Sequence, residues 1–250
     1  MKTTTPYIII TLGSLLLLAS GNLKTHGTVI NEDFASGTLP GTLEITGANF
    51  VTFSGGNALF NGAPIANAAR RTYVRTIAKD FYTSDFIAEV TRTSNTDIAF
   101  FGMGAGSPNP GVSNEPVNPS INLRLHANSL ASGGVDASDN GALTTFGFPG
   151  SGTDRLRLTW NATAKTARFE IDLDYAGGSF VADLTSPVID GSNNGLSDAN
   201  TSIFFGGQDS IAFDNFTVNS VPEPSSVVLL LSSALLCLRR RSLRTHERSA

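Results

Sequence analysis

The sequence predicts an all-β fold in which two antiparallel sheets pack face to face as a sandwich, with a short apolar helix at either end of the chain. Turn-forming residues punctuate positions 22–220 about every dozen residues, and the segments between them alternate apolar and polar side chains with a period of two. Gly, Ser, Thr and Asn are plentiful there while Lys and Glu are few, which disfavours long helices. The stretch holds no internal repeat and no domain-sized linker, so a single domain is expected.

Taken in order, residues 28–34 read as the first strand, and 43–46, 50–53 and 58–60 as short strands around Gly47 and Gly55-Gly56. In 71–77, Tyr73, Arg75 and Ile77 alternate with Thr72, Val74 and Thr76. Residues 86–91 set Phe86, Ala88 and Val90 on one face and Ile87, Glu89 and Thr91 on the other, and 98–103 form a mostly apolar strand. Pro and Gly make 104–119 a long loop, 121–126 is a strand, and 131–141 reads as a polar loop. The clearest alternation is 154–160, where Leu156, Leu158 and Trp160 face one way and Arg155, Arg157 and Thr159 the other. Residues 161–165 turn the chain, 167–173 return with Ala167, Phe169, Ile171 and Leu173 inward, and Gly177-Gly178 turn it into 180–184, giving a meander. Strands 203–206 and 211–218 complete the body.

The two ends read as addresses. Lys2, an apolar run at 7–19 and the small residues Ala19 and Gly21 make 1–21 a secretory signal peptide cut after Gly21. At the other end Val221, Pro222, Glu223 and Pro224 form a stiff connector, because proline fixes φ and donates no backbone hydrogen bond. The fourteen uncharged residues 225–238 follow, a helix of roughly 21 Å set against a hydrocarbon core of about 30 Å. Arg239, Arg240 and Arg241 then close the segment as a cytoplasmic stop cluster, and 242–250 add a basic extension. This order at 221–241 resembles the PEP-CTERM sorting signal of Gram-negative bacteria. The resemblance implies export by the Sec machinery, transient membrane insertion, processing by an exosortase-type membrane peptidase, and a place at the cell surface or in the extracellular matrix with exopolysaccharide. The extension 242–250 departs from that pattern, which ordinarily stops soon after its arginines.

Charge and cysteine narrow the chemistry. Setting aside Lys2 and the five tail arginines leaves 11 basic residues, and setting aside Glu223 and Glu247 leaves 19 acidic ones, so the body is near −8 while the whole chain is −4. An acidic body disfavours nucleic acid as a partner. The one cysteine, Cys237, lies in the apolar tail, so the body has no disulfide, no thiol nucleophile and no cysteine-liganded zinc, and no lipidation site follows the leader. His26, His126 and His246 are scattered, and no Gly-x-Ser-x-Gly presents a nucleophile. Arg70-Arg71 read as a solvated pair, and Trp160 as a core residue.

The body has a resemblance of its own. Trp160 to Ala167 followed by Phe169-Glu170-Ile171-Asp172, with Glu32-Asp33-Phe34 opening and Ala212 to Phe216 closing the domain, is similar to the hairpin and terminal strands of concanavalin-A-like (laminin-G/lectin) jelly rolls. It implies a non-enzymatic binding or structural protein that contacts glycans, with no cofactor required beyond a structural calcium at Asp33, Asp214 and Asn215, where the first and last strands meet. The alternative is a glycosidase on the same fold, with Glu170, Asp172 and Asp174 as its acids on one strand face. Asp136 to Gly141 and Asp190 to Gly195 both fit Asp-x-Ser-x-Asn-Gly, half of a calcium loop or an ordinary turn, with Gly147 and Thr201 where the bidentate glutamate would stand.

Overall fold

The computed structural model describes residues 29–47, 49–61, 72–94, 98–104, 119–126, 129–135, 143–149 and 152–221, all within the unit Gly27–Val221. The expected leader at 1–21, the sorting motif beyond Val221, the arginine cluster, the loop Asp136 to Gly141, Arg70, Arg71, His26 and His246 lie outside these residues.

Two antiparallel sheets make the domain. One runs in the order β10 (Thr144–Gly147), β9 (Ser129–Val135), β8 (Ser120–His126), β7 (Ala99–Gly104), β15 (Ser202–Gly207), β5 (Thr72–Thr76), β2 (Leu43–Gly47). The other runs β13 (Leu184–Thr185), β12 (Thr166–Asp172), β11 (Asp154–Asn161), β6 (Phe86–Arg92), β16 (Ile211–Ser220), β4 (Asn57–Phe60), β3 (Val51–Ser54), with β1 (Ile30–Glu32) on β16 and β14 (Ile189–Asp190) on β12. The expected all-β sandwich is therefore the observed architecture.

The core follows from the period-two pattern. Phe86, Ala88 and Val90 on β6 lie beside Trp160, Leu158 and Leu156 on β11, and all are buried. Ala99, Phe101 and Met103 on β7 and Ile203 and Phe205 on β15 supply the facing layer. Phe205 bridges the layers, its ring centroid 5.3 Å from Phe213, 5.0 Å from Phe216, and 6.0 Å from both Phe34 and Phe60. The adjacent pairs Phe100-Phe101 and Phe204-Phe205 break the amphipathic rule, because each strand buries both faces. Phe100, Phe204 and Tyr73 form a second buried cluster on the outer face of the seven-stranded sheet. Between them the strands approach so closely that a Cβ on Gly206 would lie 2.2 Å from the Thr72 carbonyl oxygen, and one on Gly102 as near to that of Ile121.

Three expectations are corrected. Positions 131–135 belong to β9 and are not loop, because Leu130 and Ser132 face the core while Ala131 and Gly133 fit the crowded outer face of the same sheet. Residues 180–184 do not make a full strand: only Leu184 and Thr185 pair, since the preceding segment is held by Val181 N–H on Asp172 Oδ2 and by Asp183 Oδ2 accepting from Leu173 N–H. Strand β6 continues one residue further to Arg92, which points inward with Phe86, Ala88 and Val90.

Arg92 is the exception inside this face. It lies opposite Asp154 in the β6–β11 register, and the two fully buried side chains form an ion pair through Nη2 and Oδ2. Asp154 Oδ1 also accepts the Asp174 N–H at 3.2 Å, fixing the end of the β11–β12 hairpin. Removing one partner of a buried pair strands the other charge. Asp154→Ala is thus expected to destabilise the domain by about 3–5 kcal/mol in urea unfolding, and an Asp154→Leu, Arg92→Leu double variant to recover most of that; a single-variant loss below about 1 kcal/mol would show that the pair carries no such burden.

Candidate functional site

The loop from Asp190 to Gly195 leaves β14 at the point where the two sheets meet along one edge. Asp190 pairs with Thr166 on β12, so the loop is fixed to the nine-stranded sheet, and its far side closes against Ser132, Gly133 and Gly134 of β9. The loop packs directly on β9 here: a Cβ on Gly134 would make ordinary contacts, 3.7 Å from the Asp190 carbonyl oxygen and 3.8 Å from Asn194 Nδ2. Between the two walls is an open cleft of about 360 Å³, lined by Ser132, Thr144, Pro187, Val188, Asp190 and Asn194 among others. Its size lies at the small end of the roughly 300–1,000 Å³ common for ligand pockets.

Its polar groups include three of the buried side-chain atoms that have no hydrogen-bond partner. Asn194 is 7% exposed, yet neither its Oδ1 nor its Nδ2 has a hydrogen-bond partner, and the buried Ser132 Oγ has none either. A buried polar atom without a partner costs about 1–3 kcal/mol. Three such atoms lie together where the loop meets β9, at the inner wall of the cleft. Asp190 at the rim has its Oδ1 engaged by the Ser192 N–H at 2.9 Å. That bond holds its carboxyl below the ordinary aspartate range, so the rim carries a negative charge at neutral pH. Of the two readings of 190–195, half a calcium loop or an ordinary turn, the structure shows the turn, an Asx turn closed by the Ser192 N–H on Asp190 Oδ1. Asn194 is the asparagine of the Asp-x-Ser-x-Asn-Gly pattern at 190–195, whereas Ser132, in a stretch expected to be loop, carried no motif.

The three acids of the glycosidase reading do not share a cleft. Glu170 lies on the outer face of β12, 3.9 Å from Arg157. Asp172 is buried and accepts the Val181 N–H at 2.8 Å. Asp174 lies beyond the end of β12 in a left-handed conformation (φ 51°), so it is not on a strand face with Asp172, and it accepts the Gly152 N–H at 2.9 Å. Beside them Glu89 binds Arg155 at 2.7 Å and Arg157 at 2.6 Å, while Arg157 stacks 3.7 Å over Phe180. Burial opposes the Arg155 charge, but Glu89 and Tyr175 outweigh it and hold its pKa above the ordinary value. This is an ionic lattice knitting β6, β11 and β12. Trp160 is core, 1% exposed, with Nε1 donating to the Tyr82 carbonyl at 3.1 Å, and His126 ends β8.

The terminal-strand site is brought together in part. Asp33 follows β1, which pairs with β16 beside Asp214 and Asn215. A register shift between Asp214 and Thr217, with Asn215 at φ 50°, turns the Asp214 carboxylate onto its neighbour, accepting from Asn215 N–H at 2.6 Å and Nδ2 at 2.8 Å. Burial pushes the Asp214 carboxyl up, the Asn215 N–H opposes this, and the charge of Asp33 adds to the rise. Among the described residues no three His, Cys, Asp or Glu side chains converge as a metal-binding group.

No protein-family model matches the sequence, and no curated protein matches it. Solved structures do. Peanut lectin, determined with a nine-residue peptide, superposes with a TM-score of 0.53 at 13% identity over 78% of this chain and 99% of that one. Lectin II from Ulex europaeus gives 0.54 at 10% identity over 79% and 100%. The fold is the concanavalin-A-like sandwich of the legume lectins. Lectin I-B4 from Griffonia simplicifolia, in a metal-free form, matches equally, with 0.54 at 10% identity over 78% and 100%. At these identities the likeness concerns the fold, and the residues of the cleft have to be argued on their own chemistry.

Proposed function

We propose that this protein is a non-enzymatic glycan-binding β-sandwich of the bacterial surface or extracellular matrix, whose binding site is the cleft between β9 and the Asp190 to Gly195 loop. The observation that carries the reading is the buried, unpartnered carboxamide of Asn194 with Ser132 Oγ beside it. A carboxamide presents one acceptor and two donors in a rigid plane. Two neighbouring ring hydroxyls satisfy it together, one donating to Oδ1 and the other accepting from Nδ2, while Ser132 takes a third. Pro187 and Val188 offer an apolar wall to the C–H face of the ring, and Asp190 accepts from a hydroxyl at the rim. A ligand lacking the hydroxyls leaves the same atoms unpaired, which is how such a site discriminates.

The rest of the reading concerns delivery. The 1–21 leader, the Val221-Pro222-Glu223-Pro224 motif, the short apolar run and Arg239 to Arg241 support export by the Sec machinery, recognition by an exosortase-type peptidase and an outward destination where exopolysaccharide is at hand. A structural calcium at Asp33, Asp214 and Asn215 is part of the same proposal, supported by the proximity of two carboxylates whose repulsion a cation would remove.

Three outcomes are expected. Asn194→Ala, which removes no hydrogen bond within the protein, should leave the unfolding midpoint unchanged and weaken glycan binding on a neutral-glycan array by about tenfold or more; undiminished binding would place the site elsewhere. In the native host, intact mass and cell fractionation should show a chain shortened at its tail and located outside the cell, and replacement of Pro222, Glu223 and Pro224 by Ala should leave it full-length in the membrane; identical processing of both would remove the sorting reading. For Asp214 the folded pKa stands above the unfolded one, so the stability it contributes is full below the ordinary aspartate value of about 4 and is lost as pH rises through the raised value. Calcium should restore the melting temperature at neutral pH in the wild type and do nothing for Asp214→Asn; no calcium shift in the wild type ends the calcium proposal.

A further inference from the structure

The cleft does not end at Thr144. That residue begins β10, the outermost strand of the seven-stranded sheet, whose outer edge has no neighbouring strand among the described residues. From there β10 runs along β13 of the other sheet, and at the register shift between Thr145 and Gly147 the two touch: a Cβ on Gly147 would stand 2.8 Å from Leu184 Cδ1. Phe148 follows directly. It is 70% exposed, and Val181, three residues before Leu184, is 65% exposed; these are the most exposed large apolar side chains among the described residues. Val188, in the cleft itself, is 55% exposed. Val188 in the cleft and Phe148 just beyond β10 lie toward the two ends of that strand, whereas Val181, whose N–H donates to Asp172 Oδ2, lies over the outward side of β12. An exposed apolar side chain continuing a cleft offers a contact to a ligand longer than the cleft. Thr144 to Phe148 is about 13 Å of extended chain, more than a single sugar ring covers. Among the described residues that line the cleft the one charged side chain is the Asp190 carboxylate, and Asp183 adds another acid on the exposed stretch before β13.

We propose that the cleft is the head of a longer groove that follows the β10–β13 seam to Phe148 and takes a chain of neutral sugar units, with Phe148 as a stacking platform for a ring beyond the first. This rests on the glycan reading of the cleft. Asn194 and Ser132 fix the first ring by hydrogen bonds, and Phe148 receives the apolar face of a later ring. Asp190 and the acidic body repel uronic acids and sulfated sugars along the same path.

The test is calorimetric titration of the full chain with glucose, mannose and galactose, with their linear di- to pentasaccharides, and with glucuronate as the acidic control. Affinity should rise about tenfold from the monosaccharide that binds to its tetrasaccharide, Phe148→Ala should abolish that gain while leaving the monosaccharide Kd within about twofold, and glucuronate should not bind. A length gain that survives Phe148→Ala overturns the groove, as does affinity that is flat with length. Binding of glucuronate overturns the neutral assignment. If Phe148→Ala instead converts a dimer to a monomer in size-exclusion chromatography with sugar affinities intact, the seam is a contact between copies of the chain. Failure of every sugar to bind the wild type removes the glycan reading itself and the groove with it.

Discussion

The constraint on which the sandwich depends is the passage of the chain from β15 to β16. These consecutive strands lie in different sheets, each internal to its own, and only Gln208, Asp209 and Ser210 separate them. Gly207 at φ 157°, Asp209 at 61° and Ser210 at 64° make so short a crossing feasible. Because the two strands are joined across the core, Phe205 on one packs against Phe213 and Phe216 on the other, and that contact ties the two sheets together at the crossing. Everything earlier is assembled around them. β1 pairs with β16 through Ile30 and Val218, and β5 and β7 flank β15. The native contacts are thus overwhelmingly distant in sequence, a topology associated with slow folding.

The fold was legible because its strands obey the period-two rule where one face is wet. The 154–160 strand was read with its faces correctly assigned, since Arg155 and Arg157 are half-buried in a lattice around Glu89 while Leu156, Leu158 and Trp160 are core. The rule fails where both faces are covered. β9, with the sequence SLASGGV, has too little apolar volume to read as a strand, yet small residues are what its crowded outer face requires. Strands β13 and β14 are two residues each, too short for any periodic signal. The inward turn of Arg92 and Asp154 could not be seen in composition either. A charged residue at an apolar position of the alternation is a cue only when its partner in the register is known.

The site was less legible, for a physical reason. Catalytic and metal motifs announce themselves by clustered acids or histidines, and here the clustered acids do structural work. Asp172, Asp174 and Asp183 accept backbone N–H groups that shape the end of the β11–β12 hairpin. The cleft is instead built from an asparagine and a serine on separate strands and loops. Asn, Ser and Gly at 190–195 spell a turn in sequence, and they do make one through Asp190 and Ser192. Only the burial of Asn194 against β9, sixty residues earlier in the chain, distinguishes it from an ordinary turn former and prompts the recognition role proposed for it.

The register also relates the cleft to the point where the chain leaves the domain. Asp190 lies opposite Thr166, Thr166 opposite Asn161, Trp160 opposite Phe86, and Phe86 opposite Ser220. One end of the nine-stranded sheet therefore carries both the Asp190 loop and the exit at Val221, whose N–H still donates to the Asp85 carbonyl at 2.9 Å while Asp85 Oδ1 accepts the Ala162 N–H. Pro222 has no N–H with which to extend the ladder, so pairing cannot continue past this end. Four strand spacings separate the two features, about 19 Å. The seam toward Phe148 runs the other way, since Leu184 pairs with Ile171, closer to the Asp154 end of the sheet than Asp190 is. On the sorting reading, the first sugar would be held near the attachment end and the later ones led away from it, an orientation suited to receiving a polymer that extends outward from the surface to which the protein is delivered.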